Sequence, residues 1–214
     1  METTGGRPRT PVTSTIAAIN VAVFLAWHLA AVPGDLMAGH FVVSWDLLAA
    51  GRVWTAITTV FSHYALFHLL VNTIVLLSFA PPLEMLMGAR RFLAFYLAAG
   101  VLGSLGHAAV TNFLLDRPGQ AALGASSAIS GVLLLFALLF PRARVLFFFI
   151  VPLPAIVAAL AFIGIDIWGL VAQVEGGGLP IGHGAHLGGA LAGILYFVLF
   201  GRDLRRRTEP ASPA

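Results

Sequence analysis

The sequence has no cysteine and no lysine, and charged side chains make up only 10% of its 214 residues. The absence of cysteine excludes a disulfide framework and a cysteine-based zinc site. A typical soluble domain carries about 25% charged residues, so this shortage of charge excludes a soluble globular enzyme, a disordered tail and a coiled coil. Water is therefore not the main solvent of this chain.

Apolar residues take the place of the missing charge. They make up 59% of the chain, the mean hydropathy is +0.94, and six stretches carry no charged residue at all: 10–34, 53–83, 92–115, 118–141, 145–165 and 176–201. Each exceeds the roughly 18 residues that cross a bilayer. The pattern predicts an all-α membrane protein with six transmembrane helices, in contact with lipid. The small basic excess is typical of membrane topology, and we expect no nucleic-acid partner.

The arginines predict the orientation. With a cytoplasmic N-terminus, ten of the twelve arginines fall on the cytoplasmic side, and only Arg52 and Arg117 lie outside. Because cytoplasmic loops are enriched in basic residues, both termini are expected to face the cytoplasm, in a multi-pass protein of the cell membrane. The first stretch shows no small-residue cleavage site, so we expect a retained helix and not a signal peptide.

The expected domain organisation is one membrane domain over residues 13–201, between polar cytoplasmic tails at 1–12 and 202–214. The spans are expected at about 13–33, 62–82, 91–111, 124–141, 152–171 and 181–200. Pro81 and Pro82 should end the second span, since proline lacks the donor that a helix interior requires. Pro152 and Pro154 should begin the fifth.

Three polar side chains fall at similar depths inside these spans. His68, Ser126 and His186 each lie roughly 10 Å below the predicted outer ends of the second, fourth and sixth spans. A polar side chain at membrane depth is costly and calls for a partner or a function. Since all three spans run inward from the outer face, these residues could converge.

Ser126 and His186 form a candidate nucleophile and base. Small residues surround both, so the two helices could pack closely enough for a hydrogen bond. A neutral imidazole can take the serine proton and later return it to a leaving amine. Asp116, Asp166 and Glu175 are expected near the outer ends of their spans, so we predict a Ser–His dyad without a carboxylate.

The residues nearby supply donors for a developing negative charge. His68 and Asn72 share a helix face at i, i+4 and could bind an oxyanion. His183 and His186 lack a nearby carboxylate as a third ligand, so no metal and no cofactor is expected.

These motifs together resemble the rhomboid family of intramembrane serine proteases. The resemblance covers about residues 50–200 and rests on four patterns: His63-x4-His68-x3-Asn72, Glu84-x3-Gly88-x2-Arg91-Phe92, Gly124-Ala125-Ser126 and Ala185-His186-x2-Gly189. It implies a six-helix bundle with Ser126 as nucleophile and His186 as general base. It further implies an oxyanion site made by His68, Asn72 and the backbone N–H of Ser126. His63, Gly124 and Gly189 are expected to support the site structurally.

The resemblance also implies the activity. We expect a serine endopeptidase that cleaves transmembrane segments of membrane proteins near the outer face, with transmembrane proteins as substrates. Ser127 and Ser130 replace the family's usual glycine and aromatic residue, and they remain alternative nucleophiles. The alternative function is a catalytically inactive relative that binds transmembrane helices, although such a relative is expected to lack the serine or the histidine. The sequence carries no signal for the oligomeric state.

Overall fold

In the computed structural model, the described residues are 10–29 and 32–208. They form nine α-helices and one β-hairpin, and a 3₁₀ turn over Thr59–Phe61 continues the fourth helix. The helices are α1 (Pro11–His28), α2 (Gly34–His40), α3 (Trp45–Ala49), α4 (Thr55–Thr58), α5 (Leu66–Met87), α6 (Ala89–Phe113), α7 (Ser126–Leu139), α8 (Ala155–Val174) and α9 (His183–Thr208), and the strands are β1 (Arg144–Phe147) and β2 (Val151–Pro154).

The six-span bundle predicted from the sequence is confirmed. Within the described residues, α1, α5, α6, α8 and α9 are long and apolar enough to cross a membrane, and α7 is a shorter apolar helix of 14 residues. At 1.5 Å per residue α7 rises about 21 Å, less than the roughly 30 Å hydrocarbon core. The 14 residues of α7 alone are therefore too few to cross the hydrocarbon core. The orientation of the termini stays a prediction.

The predicted tails are only partly described. Residues 1–9 of the N-terminal tail and 209–214 of the C-terminal tail lie outside the described residues. The segment 202–208, which the sequence analysis assigned to the tail, continues α9 as helix.

The centre of the bundle is built from α6, α7 and α9, which approach one another through glycines. A Cβ on Gly131 would lie 2.8 Å from the carbonyl oxygen of Gly189, and one on Gly193 would lie 2.7 Å from that of Gly131. Larger residues at these positions would push the backbones apart. Large, fully buried side chains of the hydrophobic core include Tyr96, Phe92, Leu76, Leu83 and Leu135.

A buried carboxylate fixes the arginine-rich end of the bundle. Glu84 on α5 accepts hydrogen bonds from the backbone N–H groups of Val12 and Thr13 at 2.9 and 2.8 Å, and from the Thr13 hydroxyl at 2.7 Å. The first N–H groups of a helix have no partner within the helix. Glu84 thus satisfies the start of α1 and ties it to α5.

Two expectations about proline are corrected. Pro81 and Pro82 lie inside α5, which continues to Met87. Membrane helices tolerate interior proline where neighbouring groups satisfy the freed carbonyls. Pro152 and Pro154 lie in β2 and not in the first turn of α8, since residues 144–154 form an antiparallel hairpin in which Arg144 pairs with Pro154. Proline is accepted at the edge of such a two-stranded sheet.

The segment between α1 and α5 packs over the end of the bundle where α7 begins. Val43 and Ala122 exchange backbone hydrogen bonds of 2.9 and 2.8 Å. Arg52 donates from Nη1 to the carbonyl oxygen of Gly39 at 3.0 Å. The Val43–Ala122 pair joins the segment to the loop that leads into Ser126, and the Arg52–Gly39 bond closes the segment on itself.

Candidate active site

Ser126 and His186 are in direct contact. Ser126 is the first residue of α7, and His186 lies in the first turn of α9. The distance from Ser126 Oγ to His186 Nε2 is 3.0 Å. The convergence predicted from their depths in the sequence is therefore present in the fold.

Gly189 allows this contact. A Cβ at Gly189 would overlap the backbone carbonyl of Ser127, and one at Gly103 on α6 would lie 2.7 Å from the carbonyl oxygen of Ala185. Glycine at both positions lets α9 approach α7 and α6 at backbone distance. Gly189, which the sequence predicts to support the site, lies at this close approach; the supporting role stays a prediction.

The two alternative serines have different surroundings. Ser130 Oγ donates to the carbonyl oxygen of Ser126 at 2.9 Å, one turn back along its own helix. Ser127 is buried, and its side chain faces Gly103 on α6. Among these three serines, Ser126 is the one whose hydroxyl meets the His186 imidazole.

A carboxylate, which the sequence analysis did not expect, completes the arrangement. Asp166 Oδ1 lies 2.9 Å from His186 Nδ1 and 2.7 Å from His183 Nδ1, and Asp166 is only 6% exposed. The prediction of a dyad without a carboxylate at comparable depth was wrong. It placed the end of the fifth span at residue 171, whereas α8 continues to Val174. Asp166 therefore lies about 12 Å before the end of its helix.

The partners of the two ring nitrogens favour one tautomer of His186. A carboxylate only accepts hydrogen bonds when ionised, so His186 Nδ1–H donates to Asp166 Oδ1. The other ring nitrogen, Nε2, is then free to accept the Ser126 hydroxyl proton. This tautomer is the one that a general base requires.

The same three side chains could also ligate a metal ion. Their ligand atoms (one oxygen of Asp166 and one nitrogen each of His183 and His186) lie within 4.8 Å of one another. The reason given above for expecting no metal, a missing third ligand, is therefore wrong. The spacing of 2.7 and 2.9 Å between donor and acceptor is the ordinary distance of a hydrogen bond. The absence of a metal stays a prediction.

His68 and Asn72 line the same open cavity, of about 610 Å³, as Ser126 and His186. The structure therefore brings the two predicted oxyanion donors beside the serine. Asn72 Nδ2 donates one hydrogen bond to the carbonyl oxygen of His68 at 3.0 Å. An amide nitrogen carries two hydrogens, so a second can be offered to a ligand.

His63 lies behind the loop that leads into α7. Its Nε2 accepts a hydrogen bond of 3.4 Å from the backbone N–H of Ala125, and its ring centre is 5.0 Å from that of His68. Burial lowers the pKa of His63 to about 4, and the neighbouring His68 adds to this effect. The imidazole is therefore neutral at pH 7, as an acceptor for Ala125 must be.

Gly124 meets a steric requirement before the serine. Its φ is +131°, and a Cβ there would lie 2.5 Å from Cε1 of His68. A residue with a side chain would be strained at this φ and would push against the His68 ring. Gly124 thus keeps His68 close to the start of α7.

The fold and the site define a multi-pass membrane protein whose interior holds a chain of hydrogen bonds from an aspartate through a histidine to a serine. The family model of the Rhomboid domain matches residues 50–203. This region contains every residue of the site. The chain belongs to the rhomboid family.

Named relatives agree with this assignment. RHOMBOID-like protein 12, mitochondrial, of Arabidopsis thaliana is 32% identical over 183 residues, which cover 80% of this chain and 53% of the relative. Rhomboid protein 1, mitochondrial, of Saccharomyces cerevisiae is 35% identical, with 83% and 50% covered. The human presenilin-associated rhomboid-like protein, mitochondrial, is 34% identical, with 90% and 48% covered. The chain spans about half the length of these relatives.

Proposed function

We propose that the chain is an intramembrane serine endopeptidase with Ser126 as nucleophile and His186 as general base. The observation that carries the proposal is the 3.0 Å contact between Ser126 Oγ and His186 Nε2 at the wall of an open cavity. A serine hydroxyl is a weak nucleophile until an adjacent base takes its proton. Membership of the rhomboid family supports the same chemistry.

The reaction follows from the positions of these groups. His186 Nε2 takes the Ser126 proton as Oγ attacks the peptide carbonyl, and the imidazolium then protonates the leaving amine. Water enters the cavity and hydrolyses the acyl-enzyme in a second cycle of the same proton transfers. His68, Asn72 and the backbone N–H of Ser126 bind the oxyanion. That N–H lies at the start of α7, where helix N–H groups are free and the helix dipole favours negative charge.

The short length of α7 supports a substrate cut inside its transmembrane segment. Ser126 is the first residue of this short helix and contacts His186 in the first turn of α9, so it packs between helices and does not lie in a surface loop. A helix protects its carbonyls through its own hydrogen bonds, so small or helix-breaking residues near the scissile bond should favour cleavage. Under the orientation that the arginines predict, the cut falls near the outer membrane face.

Fluorophosphonate labelling tests the nucleophile and base without a known substrate. We expect the detergent-solubilised wild type to be labelled, and labelling to be lost in Ser126→Ala and His186→Ala. Ser127→Ala and Ser130→Ala are the matched controls and should keep it. A folded wild type that is not labelled, beside a labelled serine protease, would favour the alternative of a helix-binding protein without catalysis.

Product mapping tests the substrate class. Reporter proteins with one transmembrane segment should yield products that end within the segment, in the half nearer the outer face. Products that end only in cytoplasmic loops would contradict the proposal. We also propose a location in the cell membrane, and fractionation of the source cells would distinguish it from the mitochondrial location in the relatives' names.

A further inference from the structure

Asp166 on α8 contacts the side of the His186 ring opposite Ser126. Asp166 Oδ1 bonds to Nδ1 of His186, and the opposite ring nitrogen bonds to Ser126. Aspartate and serine are thus held at opposite ends of one imidazole. We infer that Asp166 is a positioning residue that fixes the tautomer and ring orientation of His186, and that His183 holds Asp166 in place. This inference rests on the proposed function.

The surroundings of Asp166 indicate a residue built into its place. Asp166 and His183 are 6% and 3% exposed, and burying a charge is costly unless it is hydrogen-bonded. Two N–H groups meet the same oxygen, from His183 at 2.7 Å and from His186 at 2.9 Å. His183 approaches closely because α8 has Gly169 there, where a Cβ would overlap the His183 ring. His183 therefore holds the Asp166 carboxylate in addition to the bond that the carboxylate makes with His186.

The position of Asp166 has a consequence for the reaction. When Nε2 of His186 takes the serine proton, the ring becomes positively charged, and the adjacent carboxylate stabilises that charge. The same carboxylate prevents the ring from presenting a protonated nitrogen to Ser126. A role in folding alone would be served by the His183 contact and would need no bond to His186.

The test compares two substitutions at Asp166 with one at an exposed aspartate. Asp166→Asn removes the charge, Asp166→Glu keeps it one methylene further out, and Asp116→Asn is the matched control. Asp116 lies near the same end of the bundle, is exposed, and has a φ of +52° that asparagine also tolerates. Each variant is assayed for fluorophosphonate labelling rate, for kcat and KM on a cleaved reporter, and for thermal unfolding.

A positioning role predicts a selective loss. Asp166→Asn should lower kcat by about 100-fold or more, as expected for a misdirected general base, with KM changed little. Asp166→Glu should recover part of kcat, and Asp116→Asn should match wild type. His183→Gln should fall between wild type and Asp166→Asn, since it loosens the carboxylate without removing it. If Asp166→Asn does not fold, the test uses Asp166→Glu and His183→Gln. A kcat below the wild-type value in both variants, at an unchanged unfolding temperature, would support the positioning role, and a wild-type kcat in both would contradict it.

Three results would overturn the inference. Wild-type kcat in folded Asp166→Asn would do so while leaving Ser126 as the nucleophile. Loss of activity on adding a chelator, restored by zinc alone, would assign the aspartate and both histidines to a metal site. Absence of labelling in the wild type would overturn the proposed function and this inference together.

Discussion

Replacing Gly189 by alanine should separate the nucleophile from its base. A Cβ at this position would overlap the carbonyl of Ser127, and real Cβ contacts rarely fall below 3.4 Å. Relief of the overlap needs a shift of more than about 1 Å between α7 and α9, because close-packed helices have no free space to absorb it. Added to the 3.0 Å between Ser126 Oγ and His186 Nε2, this gives about 4 Å, beyond hydrogen-bond range.

Two opposing effects determine how Gly189→Ala changes the free energy of unfolding. Alanine is favoured over glycine in a helix by about 1 kcal/mol, while overpacking costs about 1–3 kcal/mol. Gly189→Ala should therefore lower the free energy of unfolding by up to about 2 kcal/mol. Its labelling by fluorophosphonate should be at least about 100-fold slower, the share that general-base catalysis supplies.

Gly164→Ala is the matched control for this prediction. Gly164 lies inside α8, and a Cβ there would meet no atom within 4 Å. This variant should label at the wild-type rate and unfold at the same or a higher temperature. Labelling of Gly189→Ala at the wild-type rate would refute the proposed dependence of the site on close helix packing.

Three further predictions concern Gly124 and His63 beside the site and Glu84 at the arginine-rich end of the bundle. Gly124 has a φ of +131°, and a Cβ there would press on the His68 ring, so Gly124→Ala should lower both the unfolding temperature and the labelling rate. An unchanged labelling rate would contradict the proposed position of the oxyanion site. Glu84→Gln should cost about 1–3 kcal/mol of stability, since it weakens two buried hydrogen bonds and one partly buried one. Labelling per folded molecule should persist, and Glu175→Gln at an exposed position is the control. The pKa of His63 falls from 6.5 to about 4 on folding, so the unfolded chain binds more protons than the folded chain between these pH values. The free energy of unfolding should therefore decrease as the pH drops from 6.5 to 4, by at most about 1.4 kcal/mol per pH unit. The unfolding temperature should depend less steeply on pH in His63→Gln than in the wild type. An equal dependence would show that His63 is not the group responsible.

The sequence predicted the elements that depend on local patterns. Six uncharged stretches indicated six helices. The similar depths of His68, Ser126 and His186 in three spans indicated that these residues could lie close together. Both patterns follow from the helix rise and the thickness of a bilayer. They required no knowledge of which helices are neighbours.

The partners of the buried charges could not be found in this way. Asp166 was placed near a membrane surface because the end of its span was set too early, and no local pattern indicated that Glu84 bonds to the start of α1. A hydrogen-bond partner depends on which helices pack together, and hydropathy does not contain that information. A carboxylate inside an apolar run is itself a signal of function, and that signal could have identified Asp166.

The placement of Asp166 joins the reactivity of the site to the position of one outer helix. Much of α8 faces outward, with Leu160, Ile167 and Trp168 from 51% to 71% exposed. Such a surface gives α8 few contacts that fix its rotation, whereas the bonds from Asp166 to His183 and His186 set it at one point. A rotation of α8 by a single residue, about 100°, would carry the carboxylate away from both imidazoles. The base is therefore correctly oriented only while α8 is seated against α9.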